Sequence, residues 1–551
     1  MRTRWRLAFL GLVLAAAATP SFADQSDELR KLRDSTIALV NALVDQGVLT
    51  RAKADAIIAQ ALQTGETPAV PGAPASGSAR PPAATAQTAP PATPGEVRVP
   101  YVPEAVKDEI RDQVKKDVLA QAKTERWGEP GAFPDWLEHF TWYGDIRVRE
   151  EADRFPTDNT PNAPVAVLQA FGVNIDNSTE ANNRLRLRAR FGFDATVGDT
   201  VTVGMRLATG GVGDDSNPGS ENQTLGNYET RSTVGFDRAY LAYHPESWLT
   251  LSGGRVGNPY FTPTTLIWAT DVSLEGLVAT FTPQLGPHWS LFTTAGAFPI
   301  LQNDPTPTSS AKSKWLYAYQ TGFDWRISQR ATWRFAAALY DYRNIEGIPN
   351  PTIESTAYDA TAAPFRQTGN TVFDINGLLN TEEGTQNYLY GLASKFHEGN
   401  LSTSVDLNLT GPLHVIIDGD WVKNFGFNAR EIEQRTGFAV DRQVKGWQTR
   451  VTVGHPDLTQ KWNWQAWLGY RYAQRDSTVD AFTDQDFHLG GTDAKGYFLG
   501  ARFAFEKNTA LGFRWFSAKQ IDGVELAGAD SVLTGLPLAI DVLQVDITSA
   551  F

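Results

Sequence analysis

The chain has 551 residues, a formal net charge of −13 and no cysteine. The acidic balance argues against nonspecific nucleic-acid binding, and the lack of cysteine excludes disulfides, thiolate metal sites and cysteine nucleophiles. Aromatic residues make up 11% of the chain, yet the mean hydropathy is −0.30. This combination is typical of strands whose lipid-facing and water-facing side chains alternate.

Residues 1–23 predict a signal peptide. Three arginines lie among the first six residues, the apolar run Leu7–Thr19 follows, and the small residues Ser21 and Ala23 precede the cleavage expected before Asp24. The alternative, an N-terminal membrane anchor, is disfavoured because a spanning helix needs ~20 apolar residues. We therefore expect an exported protein.

The next hundred residues predict helices and a linker in the periplasm. Apolar residues keep a 3-4 spacing at the start of 24–63, and Gly47 divides this segment into a helical hairpin. Residues 64–100 are rich in proline and alanine and predict an extended linker. Residues 101–130 predict an amphipathic helix with a thin apolar stripe, which either self-associates or docks on another part of the chain, or is simply a solvated charged helix.

From residue 137 to residue 551 the apolar period changes to two. In 183–197, leucine, alanine and phenylalanine alternate with four arginines and an aspartate, and similar alternation occurs in 315–325, 461–475 and 497–506. These segments are about twice the ~5–6 residues usual in soluble proteins. A row of arginines on the second face requires that face to be wet, so we predict a transmembrane antiparallel β-barrel with a polar lumen.

Connection lengths support the same architecture. Short turns are predicted at 198–199, 244–247, 328–330, 411–412, 456–460 and 506–508. Long polar loops are predicted at 151–181, 210–231, 300–313, 344–385, 425–443, 476–493 and 520–538. Short turns at one end and long loops at the other are typical of outer-membrane barrels. We predict sixteen strands, with eighteen as the alternative because 388–396 and 401–409 form either one interrupted strand or two.

The last segment is a further amphipathic strand. Leu543, Val545, Ile547 and Ser549 alternate with polar residues, and the chain ends at Phe551. This pattern resembles the recognition signal of the bacterial barrel-assembly machinery, with Val545, Ile547 and Phe551 as its main residues. The resemblance implies that this machinery is a partner.

The whole layout resembles the bacterial "putative porin" family. The resemblance rests on Leu32–Ala61 (LRDSTIALVNALVDQGVLTRAKADAIIAQA), Leu413–Asn424 (LHVIIDGDWVKN) and the terminal strand. It implies a barrel in the outer membrane, surrounded by its lipids, with an N-terminal periplasmic segment and passive diffusion of small solutes or ions. It implies no catalytic residue, and a homotrimer remains open. The alternative function is a structural or adhesive barrel whose N-terminal helices oligomerise or contact the cell wall.

An arginine ladder is the main candidate site. Arginines at every second residue are ~6.6 Å apart along a strand, and a lipid-facing arginine is costly. We therefore expect a basic lumen wall, opposed by carboxylates from an in-folded loop, with 344–385 as the candidate loop. The alternative is an ion-pair network without a transport role. The predicted wall consists of Arg147, Arg149, Arg184, Arg186, Arg188, Arg190, Arg206 and Arg238.

Two further groups of residues are weaker candidates, one as a calcium site and one as a catalytic pair. Asp214 and Asp215 offer oxygen ligands for calcium without the spacing of a defined loop. Asp486 and His488 share a loop, as carboxylate–histidine pairs of barrel proteases do, but no nucleophile accompanies them. The chain contains no common catalytic or phosphate-binding motif, so we expect no enzyme activity, no cofactor and no metal site.

Overall fold

The computed structural model describes residues 139–159, 177–213, 216–304, 306–352, 354–377, 389–522 and 538–551, together with Gln113, Lys116 and Leu137. The predicted signal peptide, helical hairpin and linker, and nearly all of the predicted amphipathic helix, lie outside the described residues, as do Asp214 and Asp215. All described residues belong to the compact unit Asp108–Phe551. In the part of the chain so described, no helix is both long and apolar enough to cross a membrane.

Nineteen strands are described, and sixteen of them are long enough to build the main sheet. In chain order they are β1 Phe140–Arg154, β2 Asn182–Val197, β3 Val201–Ala208, β4 Gln223–Thr224, β5 Gly235–Glu246, β6 Leu249–Gly257, β7 Ser273–Phe281, β8 Trp289–Leu301, β9 Lys314–Ser328, β10 Ala331–Arg343, β11 Val372–Asp374, β12 Tyr390–Leu392, β13 His397–Thr410, β14 Leu413–Asn424, β15 Lys445–Gly454, β16 Trp464–Ala473, β17 Ala494–Glu506, β18 Thr509–Gln520 and β19 Ala539–Ala550.

The main sheet closes into an antiparallel barrel. Each long strand pairs with the long strands before and after it, and β1 pairs with both β2 and β19. Closure leaves no unpaired edge, which is what a sheet surrounded by lipid requires. The short strands stand apart, since β4 only extends the edge of β2 and β11 pairs with β12 inside a loop. The predicted count of sixteen is confirmed, and the ambiguous 388–396 segment is the small β12 rather than a barrel strand.

The period-two pattern orients the side chains. On β9, Tyr317 and Tyr319 are about half exposed on the outer face, whereas Leu316, Ala318 and Gln320 are buried on the inner face. Stacked aromatic rings such as Trp289 and Trp325, with centroids 4.7 Å apart, cover the outer surface near the short turns. These are the aromatic girdles expected at a membrane–water interface.

The strand boundaries and connections differ from the sequence prediction at several places, and β1 continues to Arg154, into the loop predicted at 151–181. The strand predicted at 461–475 begins only at Trp464, because Trp462 has a φ of +76° in the turn before it. The connection 258–272 between β6 and β7, which was not predicted as a loop, is long. Its apolar run Leu266–Ala269 resembles a strand in composition, which conceals the loop in the sequence.

Part of the barrel interior is filled by an apolar core. Leu266 and Trp268 of the 258–272 loop pack with Phe298, Tyr340 and neighbouring inner residues of β8–β10, and all are nearly inaccessible to solvent. The sequence pattern predicted a polar, water-filled lumen, but the structure shows that part of the lumen is apolar and closed to water. Space for water remains on the side formed by β15–β19, β1 and β2.

One helix lies within the predicted loop 425–443. Helix α1, Ala429–Thr436, begins after Asn428, whose side chain accepts a hydrogen bond from the Glu431 amide, and it ends at Gly437 in the left-handed conformation. Ile432 is the buried anchor of the helix. A helix of eight residues is too short to show a clear helical period in the sequence.

Candidate functional site

The arginine ladder lies on the inner wall where β1 pairs with β2. Arg147 is directly opposite Arg188, and Arg149 is directly opposite Arg186. Like charges in direct cross-strand pairs destabilise a sheet, so these arginines need carboxylates close by. The wall itself supplies Asp145 to Arg188, at 2.9 Å, and Glu151 to Arg186, at 3.1 Å.

The 258–272 loop supplies a carboxylate from across the lumen. Thr264 of this loop bonds Asp420 on β14 through both its amide and its hydroxyl, the latter at 2.6 Å. The Pro263 carbonyl accepts a bond from Arg450 on β15. The loop thus runs from β6 to the far wall and returns to β7, and Asp271 near its end lies 3.3 Å from Arg188.

The 474–493 loop supplies a second carboxylate. Asp486 accepts bonds from Arg149 of β1 and Arg514 of β18, each at 3.1 Å. Arg149 is only 1% exposed, so this contact satisfies a deeply buried cation. The Ala269 amide donates to the Phe482 carbonyl at 2.8 Å, which joins the two in-folded loops to each other.

A cavity of about 360 Å³ lies between these loops and the β15–β19, β1 and β2 wall. Its aspartates come from both loops and from β19, and they are outnumbered by arginines. Arg502 makes no ion pair with any described residue, whereas Arg450 is paired with Asp418 at 2.7 Å. The charged residues lining the cavity are Arg147, Arg188, Arg450, Arg471, Arg502, Arg514, Asp271, Asp484, Asp486 and Asp546.

Burial and neighbouring charges together shift the pKa values of the carboxyls of the 474–493 loop in opposite directions. Burial and the nearby Asp486 raise the pKa of Asp484 to about 6. Burial also raises the pKa of Asp480 and that of Asp493, each to about 7. For Asp486, burial acts in the same direction, but Arg149 and other wall arginines outweigh it and lower the pKa. Asp486 is therefore the carboxylate that keeps its charge beside the wall.

Comparison with known proteins decides the family. Residues 33–551 match the sequence model of the family described as "Putative porin". The chain belongs to this porin family. A comparison with curated protein sequences finds no match for this porin.

Solved structures similar to this porin share little sequence identity with it. They include the outer membrane channel DcaP of Acinetobacter baumannii, with 12% identity, 75% of this chain and 97% of that chain covered, and a TM-score of 0.38. OprB of Pseudomonas putida has 10% identity, 75% and 94% coverage and a TM-score of 0.42. OpdQ of Pseudomonas aeruginosa has 9% identity, 76% and 99% coverage and a TM-score of 0.35.

The porin places the other predicted arginines at different depths of the same wall. Arg184 bonds Glu151 at 2.7 Å and is 30% exposed, outside the cavity lining. Arg190 pairs with Asp145 and with Glu221, and Arg206 also pairs with Glu221. The remaining residue, Arg238, lines a separate cavity of about 440 Å³ beside β5–β7.

The described part of the loop predicted to oppose the arginines contacts another loop, and residues 378–385 lie outside the described residues. Described residues of 344–377 bind the 474–493 loop, with Gln367 donating to the Asp480 and Thr483 carbonyls and Thr371 to Asp476. A Cβ on Gly491, whose φ is +86°, would meet the Thr368 carbonyl at 1.6 Å, so the two backbones are in direct contact. The described residues of 344–377 therefore support the 474–493 loop.

The sequence pattern did not predict Asp271 as a partner of the arginines, and it drew attention to Asp486 only as a neighbour of His488. Asp271 follows the Leu266–Ala269 run, and an apolar run that ends in Thr-Asp is the signal that would have suggested a loop packed inside the barrel. Asp486 and His488 serve different partners, because His488 is buried with Nε2 3.2 Å from the Leu538 carbonyl. Within the described ranges, no three potential metal-ligand side chains come together.

Proposed function

We propose that this porin forms a water-filled channel through which small hydrophilic solutes or ions diffuse passively across the outer membrane. The proposal is supported most by one observation, the pairing of the β1–β2 arginine wall with Asp271 and Asp486 from two in-folded loops. Opposed rows of fixed charge create a transverse field at a constriction. Such a field orients dipolar solutes and, where arginines are in excess, holds anions transiently.

The channel acts without catalysis in this proposal. Most of its functional groups are arginines and carboxylates paired with each other, which suits electrostatic selection of solutes rather than proton transfer to a substrate. We also propose that residues 24–130 lie in the periplasm after removal of the signal peptide, and that the barrel assembles as a homotrimer.

Ion selectivity tests the arginine wall. In planar bilayers under a salt gradient, Arg147→Gln with Arg188→Gln should reduce the chloride-to-potassium permeability ratio about twofold or more, because two cavity-lining cations are lost. Arg184→Gln is the matched control, since this residue lies on the same strand but outside the cavity lining. An unchanged reversal potential in the double variant would refute the role of the wall.

Single-channel conductance separates the channel from a structural or adhesive barrel. A chain without residues 24–130 should keep the conductance of the full mature protein, because the barrel strands begin at Phe140. If neither protein conducts after refolding, the channel proposal fails.

A further inference from the structure

Four lysines form a second charged feature, on the outer surface of the barrel. Lys423, Lys445, Lys495 and Lys519 occupy outward positions at the long-loop ends of β14, β15, β17 and β18. Lys423 lies directly opposite Lys445, and Lys495 lies directly opposite Lys519. We refer to these four residues as the lysine belt.

Aromatic residues place the lysine belt relative to the bilayer. Trp421, Trp447 and Tyr497 are the next outward residues toward the membrane from Lys423, Lys445 and Lys495, respectively. The ring of Trp447 stacks on Tyr470 at 5.2 Å, and Tyr470 contacts Tyr497 at 4.7 Å, so the aromatic band is continuous. Such bands lie at the membrane–water interface. The lysine belt beyond them is therefore at the level of the lipid headgroups.

No outward carboxylate lies among the four lysines on their own strands, although Asp541 of the adjacent strand β19 lies opposite Ser517, two residues from Lys519. From β14 to β18, the only acidic residue on the outer face is Glu506 at the short-turn end, where it bonds Lys461 at 2.9 Å. None of the four lysines forms an ion pair with a described residue, and only Lys423 has a charge contact, with the Phe425 ring 4.8 Å away. By contrast, Arg255, an outward cation at the same end of β6, is paired with Glu275 at 2.7 Å.

Without a bound anion, the pairing of lysines in the belt lowers the stability of the barrel. Directly opposite residues have Cβ atoms ~4.5–5.5 Å apart, and like charges at that distance are destabilising. Two ammonium groups this close can instead bracket one anion, because each offers three hydrogen-bond donors to phosphate oxygens. The belt thus has the charge, spacing and height of a phosphate-binding surface.

We propose that the lysine belt binds the phosphate groups of anionic lipids in the outer leaflet, one phosphate at each lysine pair. The lipid's acyl chains then lie on the apolar outer face of β14–β18, below the aromatic band. This surface is independent of the lumen, so it does not rest on the proposed channel function.

Native mass spectrometry of the detergent-solubilised porin with bis-phosphorylated lipid A tests this proposal. The fourfold variant Lys423→Gln, Lys445→Gln, Lys495→Gln and Lys519→Gln should bind at least about tenfold more weakly than wild type, since each lysine near an anionic surface contributes about fivefold. The control is the variant Lys461→Gln with Lys507→Gln, which removes two exposed lysines at the short turns. Its affinity for the lipid should stay near that of wild type. Lipid A without phosphates should bind every variant weakly, and inorganic phosphate at equal concentration should not displace the phosphorylated lipid.

Thermal unfolding in detergent distinguishes binding from a structural role. Without lipid, the fourfold variant should be as stable as wild type or slightly more stable, because like-charge pairs are removed. Phosphorylated lipid A should raise the unfolding temperature of wild type only. Equal lipid binding by both proteins would overturn the proposal, and so would a changed oligomeric state with unchanged lipid binding, which would assign the belt to an interface between copies.

Discussion

Asp486 is the residue on which the charge balance of the lumen wall depends most. It accepts bonds from Arg149 and Arg514, whereas the other carboxylates near Arg149, Glu151 and Asp546, are 3.8 Å away. A buried guanidinium that loses its nearest carboxylate keeps the cost of desolvation without the compensating attraction.

Asp486→Asn should therefore lower the free energy of unfolding by about 1–3 kcal/mol and shift the channel toward anion selectivity. Heat-dependent migration in gels and reversal potentials measure the two effects. Asp324→Asn is the control, because its pair with Arg334 is nearly half exposed and such pairs contribute little. Equal stability of Asp486→Asn and wild type would contradict the assignment.

At the scale of elements, the 474–493 loop is the part of the constriction most sensitive to pH. The ordinary aspartate pKa is 3.8, and in this loop burial raises that of Asp480 and of Asp493 to about 7. Nearby arginines, Arg366 for Asp480 and Arg475 for Asp493, only partly oppose the rise. Because the folded pKa is the higher one, the docked loop is most stable below pH ~4 and loses stability as the pH rises through 7.

Amide hydrogen exchange of residues 474–493, corrected for the intrinsic rate, should accordingly be slower at pH 5 than at pH 8. Asp480→Asn with Asp493→Asn should remove most of this difference, since neither amide side chain titrates. Asp457→Asn in the exposed turn before β16 should leave it intact. A wild-type loop with equal protection at both pH values would rule out this dependence.

At the scale of the whole molecule, the barrel depends on the seam between its first and last strands. The amide of Gly144 donates to the Phe551 carbonyl, and the Phe551 amide donates to the Gly144 carbonyl, at 3.1 and 3.0 Å. A Cβ at Gly144 would meet both the Arg190 carbonyl and the Phe551 ring at 2.5 Å. The terminal aromatic ring thus fills the space that the glycine leaves.

Gly144→Val should hinder closure and reduce the free energy of unfolding by about 1–3 kcal/mol, as overpacking does elsewhere. The measurement is the fraction of folded barrel in urea titrations of protein refolded into detergent. Gly286→Val is the control, because a Cβ there would have nothing within 4 Å. If both variants refold alike, the packing at the seam is not needed for closure.

The sequence by itself determined the barrel and the faces of its strands, and it left the strand count between sixteen and eighteen. The alternation of apolar and polar residues is a local property, because lipid on one side and water on the other impose it on every strand alike. The four arginines of β2 could therefore be assigned to the lumen without knowledge of any contact. The end of the barrel at which each predicted loop lies followed in the same way from connection length.

Only the tertiary structure decided what lies inside the barrel. The path of the 258–272 loop depends on contacts with strands far away in the chain, such as that of Thr264 with Asp420, and no local pattern encodes such a pairing. The partners of the arginines, Asp271 and Asp486, follow from that path, as does the apolar core that fills one side of the lumen. The lysine belt also required the register, because only the pairing of β14 with β15 and of β17 with β18 brings its lysines together.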